Sequence, residues 1–167
     1  MTPDYPLPIL GFLGVLVSIY IIYVELHLER DAEYKPACDI ERVGASCSRV
    51  FTSEAGHLLS YFGLVPRHSI LDLSNGQAGL LFYLFQVIWP NLTFIPSKHR
   101  ARVQFLAALG SSTVSILLGY VMVNQLHEVC VVCTFVHILN LFIFINSFRW
   151  IRLGVRKSAM TQKSKSI

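Results

Sequence analysis

The chain has 167 residues, of which 53% are hydrophobic and only 14% charged, and its formal net charge is +4. This length suits one domain, and so apolar a composition excludes an ordinary soluble domain. A soluble helical bundle would need polar faces on its helices, and the apolar stretches have none. We therefore predict an integral membrane protein. Orientation in the bilayer and contact with lipid headgroups explain the basic surplus, so no nucleic-acid partner is expected.

Four apolar stretches have about the 20 residues that cross the hydrocarbon of a bilayer. In chain order they are residues 6–26, 78–96, 103–126 and 129–148. The first lacks the basic region and the cleavage site of a signal peptide, so we expect it to be retained. The second contains Pro90, which predicts a kink or an early end. The predicted fold class is an all-α integral membrane protein, a four-transmembrane-helix bundle forming one redox domain over residues 1–150.

The charges between and after these stretches predict the orientation. Residues 27–77 are predicted to form a large polar loop between the first and second helices. The link SKHRAR at 97–102 has three basic residues and no acidic one, and residues 149–167 have six and none. With four spans, link and tail share one side, which the positive-inside rule makes cytoplasmic. Both termini are then cytoplasmic, residues 151–167 form a basic tail, and the large loop is lumenal.

The last five residues, KSKSI, place Lys165 and Lys163 third and fifth from the end. This pattern resembles a dilysine signal for retrieval to the endoplasmic reticulum, although a generic basic tail also fits it. We expect a multi-pass protein of the endoplasmic reticulum membrane.

All four cysteines, Cys38, Cys47, Cys130 and Cys133, fall on the lumenal side of this topology, where disulfides are permitted. Four cysteines allow three pairings, and spacing does not choose among them. Two structural disulfides are one interpretation, but a Cys130–Cys133 bond closes a very short loop and adds little stability. A zinc site is another, although its second half would have unusual spacing. A redox pair is favoured over a metal site, because the start of a helix favours a thiolate.

The fourth stretch carries a polar stripe. Cys130, Cys133, His137 and Asn140 follow the spacing i, i+3, i+7, i+10 and so share one helix face. Such a stripe is expensive inside a membrane unless it faces the bundle interior or a ligand. A single interior histidine is often a packing residue, but its position one turn beyond C-x2-C favours a function for His137.

The third stretch carries small residues instead, at Ala107, Ser111, Ser115 and Gly119. Small side chains every four residues let membrane helices approach closely. We expect this seam to pack against another helix and to have no chemical role.

Five motifs occur in order along the chain: CDI at 38–40, SCSRVF at 46–51, YFGL at 61–64, SILDLSNGQAGLLFY at 69–83 and CVVC at 130–133. As an ordered set they resemble the vitamin K epoxide reductase family, four-helix membrane oxidoreductases. The resemblance covers nearly the whole chain except the tail.

The resemblance implies a thiol-dependent reductase of vitamin K epoxide or vitamin K quinone, a lipophilic substrate, with no tightly bound cofactor and no metal. A lumenal thioredoxin-like partner would reduce a disulfide between Cys38 and Cys47. Cys47 would then attack a Cys130–Cys133 disulfide, forming a mixed disulfide with Cys130. The freed Cys133 would attack the quinone or its epoxide.

The resemblance also implies three substrate-binding residues. Asn75 matches the asparagine whose amide donates to a ring oxygen, although it also fits a helix N-cap. Phe51 would stack on the ring, or else anchor the loop at the lipid interface. His137 stands where the family has a tyrosine, which donates to the other oxygen and helps bind coumarin anticoagulants. Histidine can donate as well, so the reaction class is expected to persist, with epoxide preference and anticoagulant sensitivity left open.

Two alternative functions use other features of the same pattern. The cysteine relay also fits a quinone-linked oxidase that generates disulfides for lumenal protein folding. Two structural disulfides would instead fit a non-catalytic four-span scaffold.

Overall fold

A computed structural model of the chain describes residues 6–31, 33–40, 44–67 and 69–165, with side chains as far as residue 153. The helices in these ranges are α1 (Pro6–Arg30), α2 (Cys47–Phe51), α3 (Leu58–Tyr61), α4 (Asn75–Ile88), α5 (Ser97–Asn124) and α6 (Val131–Lys165). Two 3-10 turns, Glu54–Gly56 and Trp89–Asn91, follow α2 and α4. The described residues contain isolated β-bridges but no strand, which confirms the all-α prediction.

Within the described part of the chain, three helical segments are long and apolar enough to cross a membrane: Pro6–Arg30, Ser97–Asn124 and Val131–Leu153. Their outward surfaces consist of large apolar side chains, as expected where lipid replaces water as the surrounding medium. Examples are Ile9, Phe12, Leu16, Leu106, Ile116, Phe142 and Ile145, each at least 41% exposed. Three of the four predicted spans are therefore present as continuous apolar helices.

The second predicted span, residues 78–96, is not one continuous helix. α4 begins earlier, at Asn75, and ends at Ile88 after 14 residues. The turn that follows contains Pro90, which is buried. Proline lacks the N–H that would continue the helix, and its ring clashes with the preceding turn. The predicted early end therefore falls at this proline.

α4 lies antiparallel along α1, and glycines on both helices allow the close approach. In order along the interface, the neighbours are Gly76 and Ile21, Gly79 and Ser18, Tyr83 and Gly14, and Gln86 and Gly11. The start of α4 therefore lies near the end of α1, and the end of α4 near the start of α1.

The buried side chains form two clusters, one toward each end of the bundle. The cluster at one end includes Leu7, Ala101 and Trp150. The cluster at the other end contains Cys38, Cys47, Met122 and Cys130. The start of α1, the start of α5 and the late part of α6 thus share the first end, here called the link end. The second is called the cysteine end.

Several polar side chains buried between the helices are hydrogen-bonded to one another, as apolar surroundings favour. Tyr83 donates to Asn140 over 2.9 Å, and Asn140 donates to Ser115 over 2.7 Å, which ties α4 to α6 and α6 to α5. Gln104 donates to both Gln86 and Ser147. The small-residue seam of α5 contacts α6 at Ser115, as the sequence predicts.

The last described residues of the chain continue the final helix. α6 continues through residue 151 to Lys165, so the predicted tail at 151–167 begins inside this helix. Residues 166–167, which belong to the dilysine pattern, lie outside the described residues.

Substitution of Gly14 tests the α1–α4 contact. A Cβ at Gly14 would lie 2.1 Å from the Tyr83 ring, whereas a Cβ at Gly110 in α5 would meet nothing within 4 Å. Because overpacking costs about 1–3 kcal/mol, G14A is expected to lower the midpoint of thermal unfolding in detergent by several degrees. G110A is the matched control and should leave the midpoint unchanged or raise it. Equal midpoints for the two variants would contradict close packing of α1 on α4.

Candidate functional site

The cysteine end brings three of the four sulfurs into contact. Cys38 and Cys47 form a disulfide, and Cys130 and Cys133 are free thiols. The Cys130 sulfur lies 3.2 Å from the Cys47 sulfur. A thiol in contact with a disulfide is the arrangement from which thiol–disulfide exchange proceeds.

Backbone contacts dock α2 against the start of α6. The Ser46 N–H donates to the Val129 carbonyl over 2.9 Å, and Ala45 forms a parallel bridge with Val129. Arg49 donates to Glu128 over 2.5 Å, and this hydrogen bond raises the pKa of Arg49 above its ordinary value. This docking covers Cys130, which is 0% exposed.

Asp39 holds the start of α2. Its carboxylate accepts the backbone N–H of Cys47 over 2.6 Å, the N–H of Ser48 over 3.0 Å and the Ser48 hydroxyl over 2.6 Å. A negative charge at a helix N-terminus is favourable because several N–H groups there lack helical partners. Asp39 also comes within 4.8 Å of both loop sulfurs. Those sulfurs are bonded to each other, so this group offers a metal one carboxylate and no thiolate.

A cavity of about 90 Å³ adjoins the sulfur cluster. Four of the residues proposed from the sequence line it: Phe51, Asn75, Cys133 and His137. They come from α2, α4 and α6. Apolar side chains add to the wall from α1 (Ile21), α5 (Leu118, Val121, Met122) and α6 (Val136). Phe51 and Cys133 also pack against the buried cluster that contains the other three cysteines. The structure thus places all seven predicted site residues in and behind one apolar cavity.

Asn75 is the first residue of α4 but not its cap. The N-cap is Ser74, which forms a reciprocal capping box with Gln77. The Asn75 amide donates to the Ala55 carbonyl over 2.6 Å and accepts the Leu58 N–H over 3.3 Å. These contacts fix the side chain, and an amide nitrogen has a second hydrogen to donate. The alternative of Asn75 as N-cap was therefore wrong by one residue.

His137 is half-buried and lines two cavities. The second cavity has a volume of about 340 Å³, lies between α4, α5 and α6, and also includes Asn75 and Asn140 in its lining. The buried Nδ1 of His137 has no hydrogen-bond partner among the described residues. Asn140, on the same face, is paired with Tyr83 and Ser115. Asn140 thus has its hydrogen bonds within the bundle, whereas the Nδ1 of His137 has none among the described residues.

Sequence reasoning missed two acidic residues near this site. Asp39 follows the first cysteine directly, and aspartate is a preferred partner of helix N-termini. Glu25 lines the same cavity as Cys133. The sequence could have indicated Glu25, because it is an ionisable residue inside the first predicted span, and such residues are functional candidates by default.

The sequence profile of the vitamin K epoxide reductase family matches residues 5–148. The chain belongs to the vitamin K epoxide reductase family. It is 31% identical over 140 residues to vitamin K epoxide reductase complex subunit 1 of Mus musculus, across 81% of this chain and 83% of that protein. The subunit 1 of Rattus norvegicus is 30% identical over 140 residues, with the same shares covered.

Membership in the vitamin K epoxide reductase family confirms the resemblance seen in the motifs. It identifies the chain with oxidoreductases that use vitamin K. The apolar helices and neighbouring cysteines described above agree with this membership.

Replacing Asp39 by asparagine tests how α2 covers Cys130. D39N removes the negative charge and leaves one amide oxygen as an acceptor, and a charged group near a helix N-terminus contributes about 0.3–1 kcal/mol. We expect alkylation of Cys130, followed by peptide mass spectrometry with the loop disulfide intact, to quicken about two- to fivefold. D31N is the control, since Asp31 is exposed and its carboxylate accepts the local Glu33 N–H. Unchanged protection of Cys130 in D39N would show that this charge does not hold α2 in place.

Proposed function

We propose that this protein is a thiol-dependent reductase of vitamin K epoxide, vitamin K quinone or both. One observation carries the proposal: Cys133, Asn75 and His137 line one apolar cavity directly beside the contact between Cys47 and Cys130. Electrons can pass from thiols in a loop to a lipid-dissolved substrate only if the substrate cavity lies next to the point where the loop sulfur meets the membrane sulfur.

The proposed relay moves two electrons from the loop cysteines to Cys130 and Cys133. A lumenal thioredoxin-like partner reduces the Cys38–Cys47 disulfide. The Cys47 thiolate attacks Cys130 in a Cys130–Cys133 disulfide, so that a Cys47–Cys130 bond forms and Cys133 is released. Cys38 then attacks Cys47, which restores the loop disulfide and leaves Cys130 and Cys133 as thiols. The disulfide and thiols described above correspond to the end of this sequence.

The substrate step returns the membrane pair to a disulfide. The Cys133 sulfur attacks the quinone or epoxide carbon, and Cys130 then attacks Cys133 and breaks the carbon–sulfur bond. The two thiols lose two electrons and two protons. A quinone gains them as a hydroquinone, whereas an epoxide gains them as a quinone and one water molecule.

The cavity walls suit an apolar ring with two oxygens. Ligand sites of this type combine apolar walls with a few oriented polar groups. The second hydrogen of the Asn75 amide and a ring N–H of His137 are the proposed donors to the two oxygens. Phe51 supplies an aromatic face. The neighbouring cavity shares Asn75 and His137, so an apolar substituent on the ring can extend into it between α4, α5 and α6.

We propose four spans, with α4 and its 3-10 turn as the second. α4 is about 21 Å long at 1.5 Å per residue, and the turn adds about 6 Å, close to the roughly 30 Å of a bilayer's hydrocarbon. The contacts along α1 from Gly76 to Gln86 support this assignment, because they run from the cysteine end toward the link end. With a cytoplasmic link, the cysteine end faces the lumen of the endoplasmic reticulum.

Replacing Cys133 by alanine tests the substrate step. Purified C133A is expected to lose vitamin K quinone and epoxide reduction by at least about 100-fold with dithiothreitol as reductant. The control is a C38A/C47A double variant. It should retain reduction driven by dithiothreitol, which is small enough to reach the membrane pair, and lose reduction driven by a thioredoxin-like protein. Turnover of C133A at the wild-type rate would refute the mechanism.

His137 is tested with two substitutions. H137A removes a donor to developing negative charge and is expected to lower quinone reduction about 10- to 100-fold. H137Y supplies a hydroxyl donor and should retain more activity than H137A. The measurement is kcat and KM for quinone and for epoxide, since a donor that acts in the transition state changes kcat. Wild-type kinetics in H137A would remove His137 from the substrate site.

A further inference from the structure

Glu25 occupies the boundary between two cavities. On one side it lines the apolar cavity that contains Cys133. On the other side it lines a separate, more polar cleft of about 310 Å³, together with Glu29, Ser53 and His57. This polar cleft is distinct from the cavity of about 340 Å³ between α4, α5 and α6. Phe51 also lines both spaces, and Glu25 is the ionisable residue that they share among the described residues.

The start of α4 holds this carboxylate in place. The Ser74 hydroxyl donates to Glu25 over 2.6 Å, and a Cβ at Gly76 would lie 3.1 Å from the same carboxylate oxygen. Ser74 is also the helix cap. Glu25 is therefore fixed at the level of Asn75, the first residue of the same helix.

The proposed reduction creates a need for proton transfer in this cavity. Two thiol protons must leave sulfur and two protons must reach substrate oxygens, yet most of the lining is apolar and offers no route. A carboxyl group can accept a proton from one atom and donate it to another without net change over the cycle.

Resting on the proposed function, we infer that Glu25 is the proton-transfer group of the cavity. It accepts a proton as a thiol of the membrane pair becomes a thiolate, and it returns a proton to the substrate oxygen as electrons arrive there. The polar cleft connects the carboxyl to solvent. Glu25 is unchanged over the cycle. A dithiol and a quinone give a disulfide and a hydroquinone, and a dithiol and an epoxide give a disulfide, a quinone and one water molecule.

A purely structural role for Glu25 is the competing explanation, because its carboxylate also supports the start of α4. The two roles separate in E25Q. The glutamine oxygen still accepts the Ser74 hydrogen bond, so the helix start is preserved, but an amide does not exchange protons at useful pH. A structural role therefore predicts a mild effect of E25Q, and proton transfer predicts a severe one.

The experiment makes two measurements on purified protein. One is the rate of vitamin K quinone reduction with dithiothreitol. The other is the midpoint of thermal unfolding in detergent, which reports the support that Glu25 gives to the start of α4. E25Q is expected to lower quinone reduction about 100-fold while the unfolding midpoint stays within about 2 °C of wild type. E25D should be intermediate in rate. E54Q, in a loop carboxylate paired with Arg67, is the control and should match wild type in both measurements.

The pH dependence separates Glu25 from its titratable neighbours. These are Glu29 on α1, His57 before α3, and Cys133 and His137 on α6. Glu25 must be a carboxylate to accept the thiol proton, so wild-type quinone reduction should slow as pH falls and the carboxyl group becomes protonated. This limb of the pH profile should vanish in E25Q but persist in H57Q.

Three results would overturn the inference. E25Q within about twofold of the wild-type quinone rate would exclude proton transfer by Glu25, and so would an acidic limb of the pH profile that persists unchanged in E25Q. Either result leaves the proposed function intact. A wild-type protein that reduces neither quinone nor epoxide would overturn the proposed function and this inference with it.

Discussion

The contact between the Cys47 and Cys130 sulfurs is the interaction on which the proposed chemistry depends. It joins the segment between α1 and α4 to the start of α6. The contact exists because a short part of that segment lies against the start of α6, through the Ser46 N–H and the Ala45–Val129 bridge and through Arg49. Cys38 and Cys47 also pack with Met122 and Cys130 in one buried cluster, so polar contacts and a small apolar cluster together hold the two sulfurs side by side.

Burial of the loop disulfide bears on the proposed relay. Cys38 and Cys47 are only 8% and 0% exposed, so the proposed protein reductant would reach either sulfur only after this segment moves away from α6. Elements that move in this way are drawn from the least stable parts of a structure. The same packing leaves Cys130 0% exposed.

Within the bundle, some buried polar side chains have hydrogen-bond partners and others do not. Asn140 is paired with Tyr83 and Ser115 and ties three helices together. Three residues earlier on the same face, His137 has a buried ring nitrogen with no partner among the described residues. A buried donor or acceptor without a partner costs about 1–3 kcal/mol. A ligand that supplied the missing partner would recover that free energy, which supports the role proposed for His137.

Much of this arrangement follows from local rules. The spacing of Cys130, Cys133 and His137 predicts a shared face, because three and four residues make a turn of helix. The early end of α4 follows from Pro90. The pairing of Cys38 with Cys47 was supplied by resemblance alone, since spacing leaves three pairings open and the docking of distant segments decides among them. Glu25 escaped attention because a hydropathy pattern treats one carboxylate near the end of an apolar stretch as its boundary.

The start of α4 shows how a local rule sets the geometry of a site. Ser74 and Gln77 form the capping box, so the helix begins at Asn75 and not at a neighbouring residue. Each residue turns a helix by about 100°, so a start shifted by one position would direct the Asn75 amide away from the cavity that it now shares with Cys133. Ser74 also binds Glu25, which connects the same start to α1. One helix cap thereby aligns the proposed substrate donor, the proposed proton carrier and the reactive sulfur around a single space.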